Sequence, residues 1–142
     1  MSELVEKAQK IATDAHAGQT RINGEAYINH PRRVAEAVQH LPEVFQAVAW
    51  LHDVVEDTDI TIEHLRDLGI PSAVLRGVAC LTRREDEKYS EFIERCSLTR
   101  LTRVVKYVDI QDNLRDIDTY KPRLSARYQK AAAHLLSRGE VY

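Results

Sequence analysis

Histidine and aspartate residues that could bind a metal ion occur in three separated segments of the chain. His30 stands alone, the pair His52 and Asp53 comes after an apolar stretch, and Asp109 lies far downstream. Imidazole and carboxylate groups together suit Mn, Fe or Zn better than Ca, and the absence of nearby cysteines argues against a closed structural zinc site. The residue types therefore indicate a site for one divalent metal ion.

The second of these segments concentrates charge at one end of a predicted helix. On a helix through residues 43–55, His52 lies four residues before Glu56, and Asp53 lies three and four residues before Glu56 and Asp57. Carboxylates this close repel one another unless a cation or water screens them. A hydrated acidic helix end is the alternative, but residues 44–51 are apolar nearly all round, which is typical of a buried helix. We therefore favour metal binding for His52 and Asp53.

A second polar face is predicted on a long helix over residues 100–117. Asp109, Asp112 and Asn113 are three and four residues apart and so form a stripe on one side of that helix. A solvent-exposed face is the alternative interpretation, and we accept it for Asp116 and Asp118. Asp109 is flanked by apolar residues, which favours a role as a metal ligand.

The run LHDVVEDT over residues 51–58 resembles the metal motif of HD-domain phosphohydrolases. Within that group it is most similar to the alarmone hydrolases, which comprise the hydrolase domain of Rel/SpoT-type bifunctional enzymes and the stand-alone small alarmone hydrolases. The runs RINGEAYINHP over residues 21–31 and KYVDIQDNLR over residues 106–115 fit the same family. The resemblance covers residues 8–136, which is nearly the whole chain, with the motifs in the family's order.

This resemblance implies a role for each matching residue. It implies that one metal ion, usually Mn²⁺ in this family, is held by His30, His52, Asp53 and Asp109. Glu56 and Asp57 would then orient and deprotonate the attacking water, since a metal lowers the pKa of bound water and a neighbouring carboxylate can accept its proton. Arg21 and Asn113 would hold the guanosine part of the substrate, and Tyr128 would pack on the nucleotide.

The activity that the resemblance implies is Mn²⁺-dependent hydrolysis of the 3′-pyrophosphate of guanosine tetra- or pentaphosphate, giving GDP or GTP and pyrophosphate. Two positions depart from the family pattern. Ile22 replaces a basic residue, and Asp112 carries a negative charge that would repel a polyphosphate. One alternative is therefore an HD phosphohydrolase acting on another nucleotide 2′- or 3′-phosphate. A non-catalytic alarmone-binding sensor is the other, although a sensor would be expected to lose a ligand or the Glu-Asp pair.

Basic residues are also required, because so highly charged a substrate needs cations at its phosphates. The candidates are Lys106, Arg115, Lys121, Arg123 and Arg127. The other histidines are expected to be structural or exposed; they are His16, His40, His64 and His134.

Length and composition indicate one all-α domain over residues 1–142, and the resemblance makes it an HD-type helical bundle. A chain of 142 residues is close to the common domain size, and nearly every segment shows helical periodicity. The net charge of −2 gives no reason to expect binding to a nucleic-acid polymer or to a membrane. With no bilayer-spanning apolar run and no signal-peptide pattern, we expect a cytoplasmic protein whose partner is a nucleotide substrate.

The positions of capping residues predict the helix boundaries. Gly18 closes a first helix, and residues 18–29 form a loop. Pro31 stands in the first turn of a second helix, with His30 just before that helix. Thr61 caps a short helix after the HD segment, and another helix begins at Pro71. Three further helices are predicted near residues 89–97, 100–117 and 123–137.

Overall fold

A computed structural model describes residues 2–117 and 121–142, with the side chain of Asp116 left aside. In this part of the chain the elements are helices, apart from one isolated antiparallel bridge between Thr20 and Ala26, which confirms the predicted all-α class. The expected surface charge at Asp118 lies outside the described residues, as does the side chain of Asp116. The helices are α1 Glu3–Ala15, α2 Asn29–Ala37, α3 Glu43–Leu51, α4 Val54–Asp57, α5 Ile62–Asp67, α6 Ser72–Cys80, α7 Tyr89–Cys96, α8 Arg100–Ile117 and α9 Pro122–Arg138.

The chain divides into two compact units, Met1–Thr82 and Arg83–Tyr142. In the first unit α3 is central, because it packs against α1, α2 and α6, while α5 packs on α6. The α3 residues Ala47, Val48, Ala49 and Leu51 are fully buried. Burial of a side chain the size of valine or leucine contributes about 1.5–3 kcal/mol. The end of α3 is therefore a fixed support for the residues directly after it.

The segment after α3 differs from the predicted single helix through residue 55. The helix ends at Leu51, and His52 and Asp53 connect it to the short helix α4. The backbone of Asp53 has φ −104° and ψ −3°, away from regular helical values, and this turn interrupts the ladder of hydrogen bonds. Asp57 N nevertheless donates to Asp53 O at 2.9 Å, so these two residues remain one turn apart.

The start of α2 also differs slightly from the prediction. His30 was expected just before the helix, whereas it is the second residue of α2, with Pro31 next to it in the same turn. A proline is tolerated there because the first-turn N–H groups have no partner within the helix. The backbone of His30 is consequently fixed within the first turn of α2.

The described residues of the second unit form three helices, with α8 packed on α9 and α7 packed on both. Its core comes from all three, and the buried side chains include Phe92, Ile93, Val104, Val105 and Leu135. The helix bounds agree with the predicted ones to within one or two residues, which is the ordinary uncertainty of a helix end. No helix in the described part of the chain is both long enough and apolar enough to cross a membrane.

Candidate metal centre

Two buried histidines face each other in the first unit. His30 is 1% exposed in the first turn of α2, and His52 is 2% exposed directly after α3. Their Nε2 atoms lie 3.3 Å apart, and the rings meet at an angle of 72°. Packing of α2 on α3 thus brings together two ring nitrogens from residues 22 positions apart.

The backbone of α3 selects the tautomer of His52. The Nδ1 atom lies 2.6 Å from the carbonyl oxygen of Ala49. A carbonyl oxygen only accepts, so Nδ1 carries the hydrogen, and in the neutral ring Nε2 then holds a lone pair. A hydrogen bond from the second ring nitrogen is the usual way in which proteins orient an imidazole that ligates a metal.

Asp53 completes a compact set of donor atoms in the first unit. Its Oδ2 atom lies 3.0 Å from His52 Nε2 and 3.4 Å from His30 Nε2, and one ligand atom from each of the three residues lies within 4.8 Å of the others. A lone pair on Nε2 and a carboxylate oxygen repel each other unless a proton or a cation lies between them. Two imidazoles and a carboxylate are a donor set that suits Zn, Mn or Fe, so these residues fit a divalent ion.

The Tyr27 hydroxyl links this donor set to Asp57. It lies 2.6 Å from Asp53 Oδ2 and 3.1 Å from Asp57 Oδ2. The Tyr27 ring packs against His30 and also against His16, with centroid distances of 5.9 Å and 4.8 Å. The Tyr27 hydroxyl thus joins Asp53, a predicted metal ligand, and Asp57, a predicted proton acceptor, in one hydrogen-bonded group.

Asp57 is placed as a carboxylate that can accept a proton. Partial burial of the carboxyl group, and after it the nearby charge of Asp53, raises the pKa of Asp57, and the Tyr27 hydrogen bond partly offsets this. The Asp57 backbone carbonyl accepts a hydrogen bond from Gln19 Nε2 at 3.1 Å. Glu56, the other predicted catalytic carboxylate, lies in the same turn of α4 and is exposed.

Arg21 is fixed in the loop before α2. Its backbone N donates to Glu25 O at 2.9 Å, and its Nε lies 4.0 Å from Glu25 Oε1. Both terminal guanidinium nitrogens of Arg33 also donate to the Glu25 carboxylate, Nη2 at 2.9 Å and Nη1 at 3.2 Å, and these hydrogen bonds lower the pKa of Glu25 to about 2. Only 8% of the Arg21 side chain is exposed, so the predicted substrate-binding arginine is held in place rather than extended into solvent.

Asp109 lies in the second unit, buried on α8. Lys106 Nζ donates to its Oδ2 at 2.8 Å, and Asn113 Nδ2 donates to its Oδ1 at 3.4 Å. Burial alone would lower the pKa of Lys106, but the charge of Asp109 raises it overall, so the ammonium stays charged beside the carboxylate. The predicted stripe therefore places Asn113, a predicted substrate residue, directly beside a predicted metal ligand.

The structure also shows what surrounds Asp112 and Tyr128, two further residues of the second unit that the sequence analysis singled out. Asp112 is buried, with its Oδ1 3.6 Å from Arg115 Nη1, so a cation on the next turn offsets the charge that was expected to repel a polyphosphate. The ring of Tyr128 lies 6.3 Å from that of Tyr89. Tyr128 is thus part of an aromatic cluster on α7 and α9.

Sequence reasoning did not identify Tyr27, His16 or Gln19 as neighbours of the site. His16 was expected to be structural or exposed; it is buried, its Nδ1 lies 2.8 Å from Gln19 Oε1, and its Nε2 has no hydrogen-bond partner among the described residues. Tyr27 lies three residues before His30, within the motif that carried the resemblance. That position was the available signal, since three residues separate neighbours in a helical turn.

Comparison with known proteins finds curated sequences and a solved structure that are similar to this chain. The chain is 37% identical over 132 residues to a Haemophilus influenzae protein named guanosine-3′,5′-bis(diphosphate) 3′-pyrophosphohydrolase, covering 84% of this chain and 20% of that protein. It is 36% identical over 136 residues to a Synechocystis protein named as a probable enzyme of that activity, covering 87% and 18%. The chain thus spans about a fifth of the length of these curated relatives. No protein-family profile matches it.

A solved structure resembles the whole fold. It is a metazoan ortholog of SpoT described as hydrolysing ppGpp, with a TM-score of 0.81, 25% identity, and coverage of 97% of this chain and 86% of the other. The similarity covers nearly the whole chain. These comparisons confirm the resemblance that the sequence motifs indicated.

Proposed function

We propose that this chain, which sequence and fold relate to the alarmone 3′-pyrophosphohydrolases, hydrolyses the 3′-pyrophosphate of guanosine tetra- or pentaphosphate. In this reaction a water oxygen forms a bond to the phosphorus next to the ribose, the bond from that phosphorus to the ribose 3′ oxygen breaks, and the 3′ oxygen takes up a proton. The products are GDP or GTP and pyrophosphate. The observation that carries the proposal is the convergence of His30, His52 and Asp53, with the Ala49 carbonyl leaving the His52 Nε2 lone pair available.

The metal site is proposed from this donor set and from the resemblance. We propose that one divalent ion is held by His30, His52 and Asp53, that Asp109 is the fourth ligand, and that the ion is Mn²⁺. A bound divalent ion supplies Lewis-acid polarisation of the phosphate and lowers the pKa of water. Because ligands from both units are needed, we propose that residues 1–142 act as one HD domain.

We assign roles to the remaining predicted residues from the resemblance and from their surroundings. Asp57, with its raised pKa, accepts a proton from the attacking water, and Glu56 helps to orient that water. Arg21 and Asn113 hold the guanosine, since the Glu25 contact fixes the first and the Asp109 contact places the second beside a ligand. Tyr128 packs on the nucleotide as part of the aromatic cluster. The partner is a nucleotide rather than a nucleic-acid polymer.

The test is pyrophosphate release from guanosine tetraphosphate by the purified protein, with added Mn²⁺ and with chelator. Guanosine 3′-monophosphate serves as the competing substrate. Chelator-sensitive pyrophosphate release from the alarmone alone is the expected result. Phosphate release from the monophosphate alone would assign the protein to the other nucleotide phosphohydrolases, and tight alarmone binding without release would make it a sensor.

Two substitutions separate metal binding from chemistry. Asp53→Ala should abolish both Mn²⁺ retention and turnover, because it removes an oxygen from the donor set. Glu56→Ala should lose turnover and keep the metal, because its side chain is outside that set. Asp67→Ala, an exposed carboxylate on α5, is the matched control and should change neither. Full activity in Asp53→Ala would show that the site is assigned wrongly.

A further inference from the structure

His16 and Gln19 form a polar pair near the proposed metal centre of the first unit. His16 follows α1 and is 2% exposed, and its Nδ1 atom lies 2.8 Å from Gln19 Oε1. Gln19 Nε2 in turn donates to the main-chain carbonyl oxygen of Asp57 at 3.1 Å. The pair therefore connects the end of α1 to α4, the single helical turn that carries Glu56 and Asp57.

The directions of these hydrogen bonds are fixed from the Asp57 end. A main-chain carbonyl oxygen only accepts, so the Gln19 amide turns its Nε2 toward Asp57 and its Oε1 toward His16. An amide oxygen also only accepts, and His16 Nδ1 therefore carries the hydrogen. The donors thus run in one order, from the His16 ring through the Gln19 amide to the main chain of α4.

The main chain holds Gln19 on both sides. Gln19 N donates to His16 O at 3.0 Å, and Gln19 O accepts from Tyr27 N at 2.8 Å. The rings of His16 and Tyr27 pack together with a centroid distance of 4.8 Å. The Gln19 side chain thus starts from a fixed backbone, which reduces the entropy lost when its amide is held against Asp57.

Packing alone does not explain a histidine at position 16. Its Nε2 atom is buried and has no hydrogen-bond partner within residues 2–117 and 121–142. A buried polar atom without a partner destabilises a fold, and an apolar residue of similar shape would avoid that cost. The feature of His16 that an apolar residue could not supply is the hydrogen bond from Nδ1 to Gln19.

The turn α4 needs support from outside itself. It is four residues long, and Asp57 N donates to Asp53 O at 2.9 Å within it. A single turn gains little from its own hydrogen bonds, because forming it fixes several backbone angles. Gln19 supplies an outside contact to the main chain of Asp57, and the Tyr27 hydroxyl supplies another to its carboxylate. Asp57 is consequently held at two points.

We propose that His16 and Gln19 are positioning residues for the hydrolysis. Gln19 holds the main chain of Asp57, and His16 holds the Gln19 amide in the orientation that this contact requires. The proposal rests on the proposed function, in which Asp57 accepts a proton from the attacking water. A small displacement of such a group slows the reaction, while the proposed metal ligands are other residues. Loss of either side chain should therefore lower kcat and leave Mn²⁺ affinity unchanged.

The first experiment measures kcat, KM and Mn²⁺ affinity with guanosine tetraphosphate as substrate. Gln19→Met keeps the length of the side chain without its donor, and Gln39→Met, at an exposed glutamine after α2, is the matched control. Loss of one neutral hydrogen bond should lower kcat about 3- to 10-fold in Gln19→Met, with KM and Mn²⁺ affinity at wild-type values. Unchanged kcat, or an equal loss of Mn²⁺ affinity, would overturn the proposal.

Two substitutions of His16 separate positioning from packing. His16→Phe keeps a ring against Tyr27 and removes the donor, so it should keep Tm and lower kcat. His16→Asn keeps an N–H near the place of Nδ1 and loses the ring, so its Tm should fall while its kcat stays above that of His16→Phe. A merely structural role would rank the two variants in the same order in Tm and kcat.

The double variant His16→Phe with Gln19→Met tests whether one residue acts through the other. Its kcat should equal that of Gln19→Met alone, because the His16 donor has no effect once the Gln19 amide is gone. Losses that multiply in the double variant would show two independent effects and would contradict the proposed order of contacts.

Amide hydrogen exchange tests the placement of α4 without any turnover. Thr58 N donates to Val54 O at 3.1 Å. In metal-free Gln19→Met the amides of Asp57 and Thr58 should exchange faster than in the wild type, while those of residues 45–51 should not change. Exchange at wild-type rates would overturn the proposal. If the wild type released no pyrophosphate, the proposed function would fail, and faster exchange in Gln19→Met would still support the positioning of α4.

Discussion

Replacement of Tyr27 by phenylalanine removes one hydroxyl from the centre of the proposed site and little else. The hydroxyl contacts Asp53 Oδ2 at 2.6 Å and Asp57 Oδ2 at 3.1 Å. One O–H group can donate to only one of these oxygens at a time, and the shorter distance favours Asp53. The phenylalanine ring can keep the packing against His16 and His30, so we expect the fold to be retained.

The size of the effect depends on the type of hydrogen bond that is lost. A hydrogen bond to a charged group contributes about 1.5–3 kcal/mol, and about 1.4 kcal/mol corresponds to a factor of ten. Loss of a group that orients a metal ligand commonly costs about 10- to 100-fold in metal affinity or activity. We therefore expect Tyr27→Phe to weaken Mn²⁺ binding by about 10- to 100-fold. At saturating Mn²⁺ kcat should remain reduced, because Asp57 has also lost the 3.1 Å contact with the hydroxyl that helps to position it.

Mn²⁺ binding is measured by electron paramagnetic resonance of the free ion, and turnover by pyrophosphate release across a series of Mn²⁺ concentrations. Tyr142→Phe is the matched control, because Tyr142 is 74% exposed at the end of the chain. Thermal unfolding of the metal-free proteins checks that the folds are intact. Unchanged Mn²⁺ affinity together with unchanged kcat in Tyr27→Phe would refute the positioning argument.

Two further predictions concern stability. Glu87 accepts two 2.8 Å hydrogen bonds from Arg95, and these bonds lower the pKa of Glu87 from 4.5 to about 2. The pair therefore stabilises the fold above pH 4.5, and this contribution disappears as the pH falls toward 2. Glu87→Gln should lower the free energy of unfolding at pH 7 by about 1–3 kcal/mol, and urea titrations at several pH values should show this difference shrinking in acid; a constant difference would contradict the linkage. Leu51→Ala, at a fully buried position directly before His52, should cost about 2–5 kcal/mol in the same urea assay, with Leu98→Ala, at an exposed position, as a near-neutral comparison.

Helix positions were the most predictable part of the structure, because they depend on local signals. The capping threonine of α5 accepts a hydrogen bond from the N–H of His64, and Gly18 after α1 has φ +84°, as their residue types indicate. The break between Leu51 and Asp53 was not predicted. Residues around it favour a helix, and the turn forms where His52 and Asp53 make contacts that no local pattern encodes.

The candidate site was only partly visible in the sequence for a similar reason. Motif resemblance singled out His30 and His52, although their ring contact depends on how α2 packs on α3. The Tyr27 hydroxyl reaches an aspartate 26 residues away, and hydrophobic periodicity contains no information about such a contact. Asp112 was expected to repel an anionic substrate, but the sequence could not show that its carboxylate is buried beside the guanidinium of Arg115.

The hydrogen bond from His52 to the Ala49 carbonyl orients one imidazole through the main chain of α3 and not through another side chain. The contact therefore depends on where the helix lies, and a side chain larger than alanine at the fully buried position 49 would disturb it by displacing α3. A change in helix length is different, because one inserted residue in α3 would rotate His52 and Asp53 about the helix axis by about 100° and shift them by about 1.5 Å. We therefore expect hardly any insertion or deletion between Pro42 and His52 to be tolerated, whereas a substitution at the exposed Glu43 would keep the register of the helix.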